Sequence, residues 1–303
     1  MQTEQNRSKS APHNAPVLRF PLFAIRQSRS STRSCACTKS GESTTQPTEA
    51  QPSSTQDLSV YEKSEGLLSQ EVWYNENGLK FSTVKYEYDA AGRLVKETTL
   101  GINDAPVGYK EYVLNADGLP ETMINYIADG PEEYSEEYRV LFEYNDTGLK
   151  MKETSMIGDT ATSVTTYAYE GSDLVSEKYY EGSELISDIA YEYDGSGKLT
   201  KLVRRDMLED SETSEACTYG ENGLVASREV SSGDGIESRT EYSYDEHGNE
   251  ISVSIYGPDG SAISITKNEY EYDEPGNIVK CTRTQGDGEQ STVIEYSWSY
   301  VKG

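Results

Sequence analysis

"YEYDAAGRLVKE", residues 86–97, decides how this chain is read. Tyr86 and Tyr88 are two apart, so in a strand their rings share one face while Glu87 points to the other. Asp89 opens a short run of small residues that Gly92 closes, and Leu94 starts a second segment. Asp at the first turn position folds its side chain back onto the backbone, and Gly accepts the left-handed conformation that other residues resist. A type I turn closed by a left-handed Gly joins two antiparallel strands, so the stretch predicts a hairpin.

The pattern returns along the chain. Equivalent aromatic pairs are Phe142/Tyr144, Tyr167/Tyr169, Tyr191/Tyr193, Tyr242/Tyr244 and Tyr270/Tyr272, with Tyr112/Leu114, Cys217/Tyr219 and Tyr296/Trp298 as variants. Aligning the turn glycine gives Gly78, Gly92, Gly118, Gly148, Gly197, Gly223, Gly248 and Gly276, with Asp173 in the one missing place. The spacings are 14, 26, 30, 25, 24, 26, 25 and 28, so after a short first unit the period is near 25 residues. About 25 residues hold two ordinary strands and two turns. A fixed period of this length marks a repeat architecture.

Composition sets the boundaries. The 303 residues carry a formal charge of -26. Residues 1–56 hold seven basic and three acidic side chains, net +4, which leaves -30 for the remainder. So acidic a body repels nucleic acid and anionic lipid, and neither is expected as a partner. The core is poor in aliphatic residues but has 24 Tyr, whose rings bury area while their hydroxyls stay wet. The chain has no apolar run of about 18 residues and so no expected membrane insertion.

Residues 1–56 read as a leader and tether, and 57–303 as the repeat domain of about nine units. The stretch "GESTTQPTEAQPSSTQ", residues 41–56, has no Val, Ile, Leu or aromatic residue to offset the cost of ordering. Ahead of it, basic residues, a short apolar piece and small residues beside Cys35 and Cys37 resemble a bacterial lipoprotein leader, making both cysteines lipidation candidates. Arg19 and Pro21 interrupt its apolar region, and no Leu stands three before either Cys.

"YEYDAAGRL" (86–94) and "YEYDEPGNI" (270–278) resemble the YD repeats of the Rhs-type repeat family, and weaker copies cover most of residues 70–300. The resemblance implies antiparallel hairpins joined into a long, curling β-sheet, displayed or exported by bacteria. Large members wrap such a sheet into a hollow shell around a toxic C-terminal domain. Here the chain ends on "IEYSWSYVKG" and lacks the junction where those proteins cleave themselves. The fold expected is all-β, a long antiparallel meander of repeated hairpins in a curled or spiral sheet. Its two end strands need protection from edge pairing, which charges at Glu62, Lys63, Glu65 or Lys302 would supply. Cys217 and Cys281 fall about five strands apart, roughly 24 Å, too far for a disulfide.

The candidate sites are few. His247 occupies a variable turn position, and with His13 in the tail no triad or His metal site can be assembled. In "PEEYSEEY", residues 131–138, Tyr134, Tyr138, Phe142 and Tyr144 share one parity. Glu133 and Glu137 then fall on the wet face, while Glu132 and Glu136 share the aromatic parity. Charge runs of this kind are usually solvated faces. The "GDG" and "GPDG" loops lack the ligand series of an EF-hand and are explained as turns. No cofactor or metal is expected. Trp73 precedes Tyr74; with Tyr74 inward, Trp73 faces out and is the candidate ligand-binding residue. Tyr179 and Tyr180 likewise place one ring outward. The reading is a non-enzymatic, cell-surface or secreted bacterial repeat protein that binds glycan or protein; the alternative is a degenerate fragment of a toxin-delivery shell.

Overall fold

The computed structural model describes residues 66–233, 235–286 and 290–299. The first nine strands are β1 Leu67–Tyr74, β2 Lys80–Tyr88, β3 Leu94–Leu100, β4 Pro106–Leu114, β5 Pro120–Ala128, β6 Tyr134–Tyr144, β7 Lys150–Ile157, β8 Thr160–Glu170 and β9 Asp173–Glu181. The next nine are β10 Glu184–Tyr193, β11 Leu199–Asp206, β12 Ser211–Tyr219, β13 Val225–Ser232, β14 Gly235–Tyr244, β15 Glu250–Tyr256, β16 Ala262–Tyr272, β17 Ile278–Gln285 and β18 Gln290–Ser299. Each strand pairs antiparallel with its neighbours in sequence, and β18 pairs antiparallel with β1. The meander therefore closes into an 18-stranded barrel.

Closure corrects the expectation of an open, curled or spiral sheet. Trp73 stands opposite Ile294 and Val72 opposite Glu295 across the seam, so β1 and β18 satisfy each other's backbone. No charged edge is needed, because a closed sheet has no edge. Glu62, Lys63, Glu65 and Lys302 lie outside the described residues, as do Cys35, Cys37 and His13.

The hairpin turns form as their sequence dictates. The Asp89 N–H donates to the Arg93 carbonyl at 2.9 Å and the Gly92 N–H to the Asp89 carbonyl at 3.0 Å. Asp89 Oδ1 accepts from the N–H groups of Ala91 and Arg93, both at 2.9 Å. Gly92 has φ +76° and the equivalent glycines lie between +71° and +89°. Asn115, Asn145, Asp194, Asp245 and Asp273 start the same turn. One residue of the following strand is left over beside each turn, as where Tyr88 faces Leu94 and Glu87 faces Lys96.

Two rims result. The YD-type turns, from even to odd strands, make one rim, here the turn rim; the odd-to-even connections make the loop rim. Gly78 joins β1 to β2 and so belongs to the loop rim, opposite the other seven aligned glycines. Its short spacing of 14 crosses one strand where the others cross two. The place given to Asp173 is filled by a tight turn through Gly171, φ +64°, with Asp173 the first residue of β9.

Among the described residues, the six buried apolar ones, Trp73, Ile189, Leu199, Cys217, Cys281 and Ile294, share the face that carries the paired tyrosines. Side chains converge on the concave side of a closed sheet, so this face is the lumen wall. Among the described residues, no strand makes more than marginal backbone contact with any but its two neighbours. A round barrel of this strand number, at ~4.8 Å spacing and ~40° tilt, is roughly 35 Å across between backbones, the size class that leaves an open channel.

Candidate functional site

The lumen wall carries an alternating band of rings and charges. Tyr112 donates to Glu97 Oε1 at 2.6 Å and Tyr191 to Glu177 Oε2 at 3.2 Å. Burial, and then the carboxylates of Glu71 and Glu97, push the Tyr86 hydroxyl well above its ordinary pKa. Burial and Glu153 do the same to Tyr167. These hydroxyls are therefore donors and stay protonated. Burial also raises the Glu71 carboxyl, even though the Trp73 indole N–H donates to it at 3.2 Å. On the later strands arginines enter the same face. Arg228 lies 3.3 Å from Glu215, and Arg283 donates to Asn268 Oδ1 at 3.0 Å. Burial pushes the Cys281 thiol up to about 11, which suits a small core residue rather than a nucleophile. Cys217 and Cys281 are both buried and form no disulfide, as the strand separation requires.

In six pairs the second tyrosine has a role that sequence reasoning missed; in Tyr270/Tyr272 the first takes it, donating to the Glu250 carbonyl at 2.9 Å while Tyr272 donates to Asp245. Tyr88, Tyr144, Tyr169, Tyr193, Tyr219 and Tyr244 donate their hydroxyls to the carbonyls of Leu68, Pro120, Lys150, Leu174, Leu199 and Val225 at 2.8–2.9 Å. The Trp298 indole N–H repeats the bond to the Ile278 carbonyl at 2.8 Å. Each bond ties the end of an even strand to the start of the preceding strand at the turn rim. A signal was present: the first place tolerates Phe142 or Cys217, whereas the second, apart from Leu114, always keeps a donor.

Trp73 does not face outward. It is 8% exposed and packs with Cys281 and Ile294, flanked by Tyr270 and Tyr296. Tyr74 takes the outer face instead, its hydroxyl 3.1 Å from Glu295. The expectation fails because the parity was anchored on the tyrosine, while the seam buries the larger indole. His247 stacks on Tyr272 at 4.4 Å between ring centroids and acts as a turn residue.

The outward aromatic surface lies elsewhere. Tyr109 stacks on Tyr126 with centroids 4.5 Å apart and meets Tyr134 edge-on at 4.9 Å. The Lys96 ammonium sits 4.0 Å over the Tyr109 ring. Tyr134 reaches this outer cluster because the pairing slips at Glu137: Asn125 faces Tyr138, but Tyr126 faces Glu136. The bulge reverses the parity, so Tyr134 and Glu136 leave the inner aromatic face assigned to them by counting. Glu136 instead pairs with Arg139 at 2.7 Å. Tyr180, opposite the outer residue Val164, also points outward while Tyr179 points in.

The family model described as Teneurin YD-shell matches residues 39–289. The chain belongs to the teneurin YD-shell family. This is the YD-repeat, Rhs-type family that the tyrosine-turn motif resembles. No curated protein matches the sequence. Among solved structures, the YD-shell chain is similar to a porin-like protein from Bacteroides uniformis, at 12% identity and a TM-score of 0.42, over 77% of this chain and 98% of that one. It is also similar to the crystal structure of TcdB2-TccC3, at 12% identity and a TM-score of 0.28, over 75% of this chain and 16% of that one. The YD-shell assignment rests on the family model, and the architecture on the strand pairing itself.

Proposed function

We propose that this chain is a non-enzymatic YD-shell module of the bacterial surface or exterior, a small closed barrel that encloses a segment of unfolded or singly helical polypeptide. The observation that carries the reading is the pairing of β18 with β1, which turns the tyrosine face into the wall of a lumen. Size limits the guest. Side chains narrow a barrel of roughly 35 Å to about 20–25 Å, wide enough for one helix of about 10–12 Å. A folded 100-residue domain, with a radius of gyration of about 13 Å, is over 30 Å across and does not fit. One such barrel therefore acts as a sleeve or as one layer of a larger shell. The tyrosine hydroxyls and the Glu and Arg side chains of the wall offer hydrogen bonds to an exposed backbone. The acidic body and the Cys35/Cys37 leader support placement outside the cytoplasm.

The test is a tail of about 20 unstructured residues carrying one site for a sequence-specific protease, fused after Gly303. At about 3.3 Å per extended residue it outreaches the barrel. Cleavage slowed at least about tenfold, relative to the same tail on a solid carrier of equal size, supports enclosure; equal rates reject it.

A second reading keeps the outer wall as a binding surface for glycan or protein, now through Tyr109, Tyr126 and Tyr134 in place of Trp73. Half-buried, mutually braced rings on the outer wall are rigid contact area. A glycan array with Tyr126→Ala as control tests it: saturable binding lost in the variant supports the reading, and no binding to any glycan removes the sugar.

A further inference from the structure

The two rims differ in chemistry. Of the fourteen large apolar residues that stay exposed among the described residues, ten lie at or beside the loop rim. The most exposed are Ile263, Leu79, Ile102, Leu208, Ile157 and Val107, at 51–65%. The remaining four, Val113, Leu141, Met151 and Ile251, lie toward the turn rim and are exposed by 37–50%. The outer tyrosines Tyr109, Tyr126 and Tyr134 stand just below the loop rim, at the β4, β5 and β6 ends that meet there. Apolar side chains gathered on one end of a molecule mark an interaction surface, whereas scattered ones need no explanation.

Charge says what covers it. The described loops of this rim contain nine carboxylates, among them Glu76, Asp129, Glu133 and Asp159, and no Lys or Arg; on the adjoining strand ends Lys80 and Arg205 are taken up by ion pairs with Asp104 and Glu212. The turn rim does present cations, Arg93 and Lys198, within its turns. Two acidic loop rims repel each other, which disfavours a second copy, and carboxylates around an apolar ring disfavour an anionic lipid surface. Access also favours this end. Leu67 begins β1 at the turn rim and its carbonyl accepts from the Ser299 hydroxyl at 3.2 Å, so both ends of the barrel strands leave from there. The flanking chain thus departs from the face opposite the apolar ring.

We propose that the loop rim is a docking surface for a protein partner that presents Lys or Arg among apolar side chains. The partner's apolar groups seat on Leu79, Ile102 and Val107, which lie on neighbouring strand ends, and on the tyrosine stack beside them, while its cations meet the surrounding carboxylates. Such a contact combines a desolvated aromatic and aliphatic centre with a charged border that steers encounter. The proposal does not depend on what the lumen holds.

The experiment uses the full chain and a synthetic peptide of alternating Leu and Lys as probe, with an all-Lys peptide of equal charge beside it. Ile102→Ser with Val107→Ser alters the loop rim without changing charge; Val113→Ser with Leu141→Ser is the matched control near the other rim. The Leu–Lys peptide is expected to bind saturably, about tenfold or more weakly to the loop-rim variant, and within about twofold of the parent to the control. The all-Lys peptide is expected to bind at least about tenfold more weakly. Equal binding by both variants, equal binding by both peptides, or no binding overturns the proposal. So does a self-associated species, or attachment to phosphatidylcholine vesicles, that the loop-rim variant abolishes, since each supplies a different occupant.

Discussion

Trp73 of β1 and Ile294 of β18 face each other in register although 221 residues separate them, and the indole and the alkyl chain are both buried there with Cys281. The pair lies on the one strand pairing, among the described residues, that joins strands not consecutive in sequence. It is the joint of the barrel.

Trp73→Ala is therefore expected to cost about 3–5 kcal/mol, the range for emptying a buried aromatic site. Urea unfolding followed by far-UV circular dichroism measures it. A cost below about 1 kcal/mol would mean that the seam is not closed in solution.

Glycines at two kinds of position respond differently to alanine. Gly276 has φ +89° and open space where a Cβ would stand, so Gly276→Ala meets only the left-handed penalty of about 1–2 kcal/mol. At Gly108 a Cβ falls 2.2 Å from the Tyr126 carbonyl oxygen of the paired strand. Gly108→Ala must push β4 from β5 and is expected to cost about 3 kcal/mol or more. Denaturation midpoints of the two variants rank them.

The turn carboxylates and the lumen carboxylates give stability opposite pH dependences. The Arg93 side chain and backbone hold Asp89 below its ordinary pKa, and Ser196 with the Lys198 and Ser196 N–H groups does so for Asp194. Stability from such groups is full above the unfolded value of about 3.9 and is lost as pH falls through the folded value. Burial raises Glu71 and Glu250, so their contribution is full below about 4.3 and is lost as pH rises through the folded value. Glu71→Gln, which keeps an acceptor for the Trp73 indole, is expected to raise the urea midpoint at pH 7 and leave it unchanged near pH 3. A lower midpoint at pH 7 would show that the charge itself is needed.

Cys217 and Cys281 should resist thiol reagents in the folded state, because both are buried and the Cys281 thiol is pushed up to about 11 by burial. Their labelling at pH 8 is expected to follow global unfolding, rising in urea along the same curve as circular dichroism. Fast labelling in native buffer would place an opening at β12 or β17.

The local parts of this architecture were legible because they depend on a few adjacent residues. Asp89 and Gly92 specify their turn, and Tyr86 and Tyr88 share a face as the strand period requires. What escaped depends on events that counting by two cannot see. The slip at Glu137 carries Tyr134 to the outer wall, and Gly78 marks a turn at the far rim despite its aligned sequence. Trp73 was placed outside because closure is set by accumulated twist over eighteen strands and by the β1–β18 register, neither of which any single repeat encodes.

The antiparallel seam also fixes how a protein of this kind can change size. A meander reverses direction with every strand, so its last strand runs antiparallel to its first only when the strand number is even. Gain or loss of a single strand would bring β1 and its partner together in parallel and spoil the register from Leu67 to Tyr74. The unit of about 25 residues, two strands long, is accordingly the smallest step by which the circumference can evolve, and duplication of one repeat widens the ring while every existing neighbour keeps its partner.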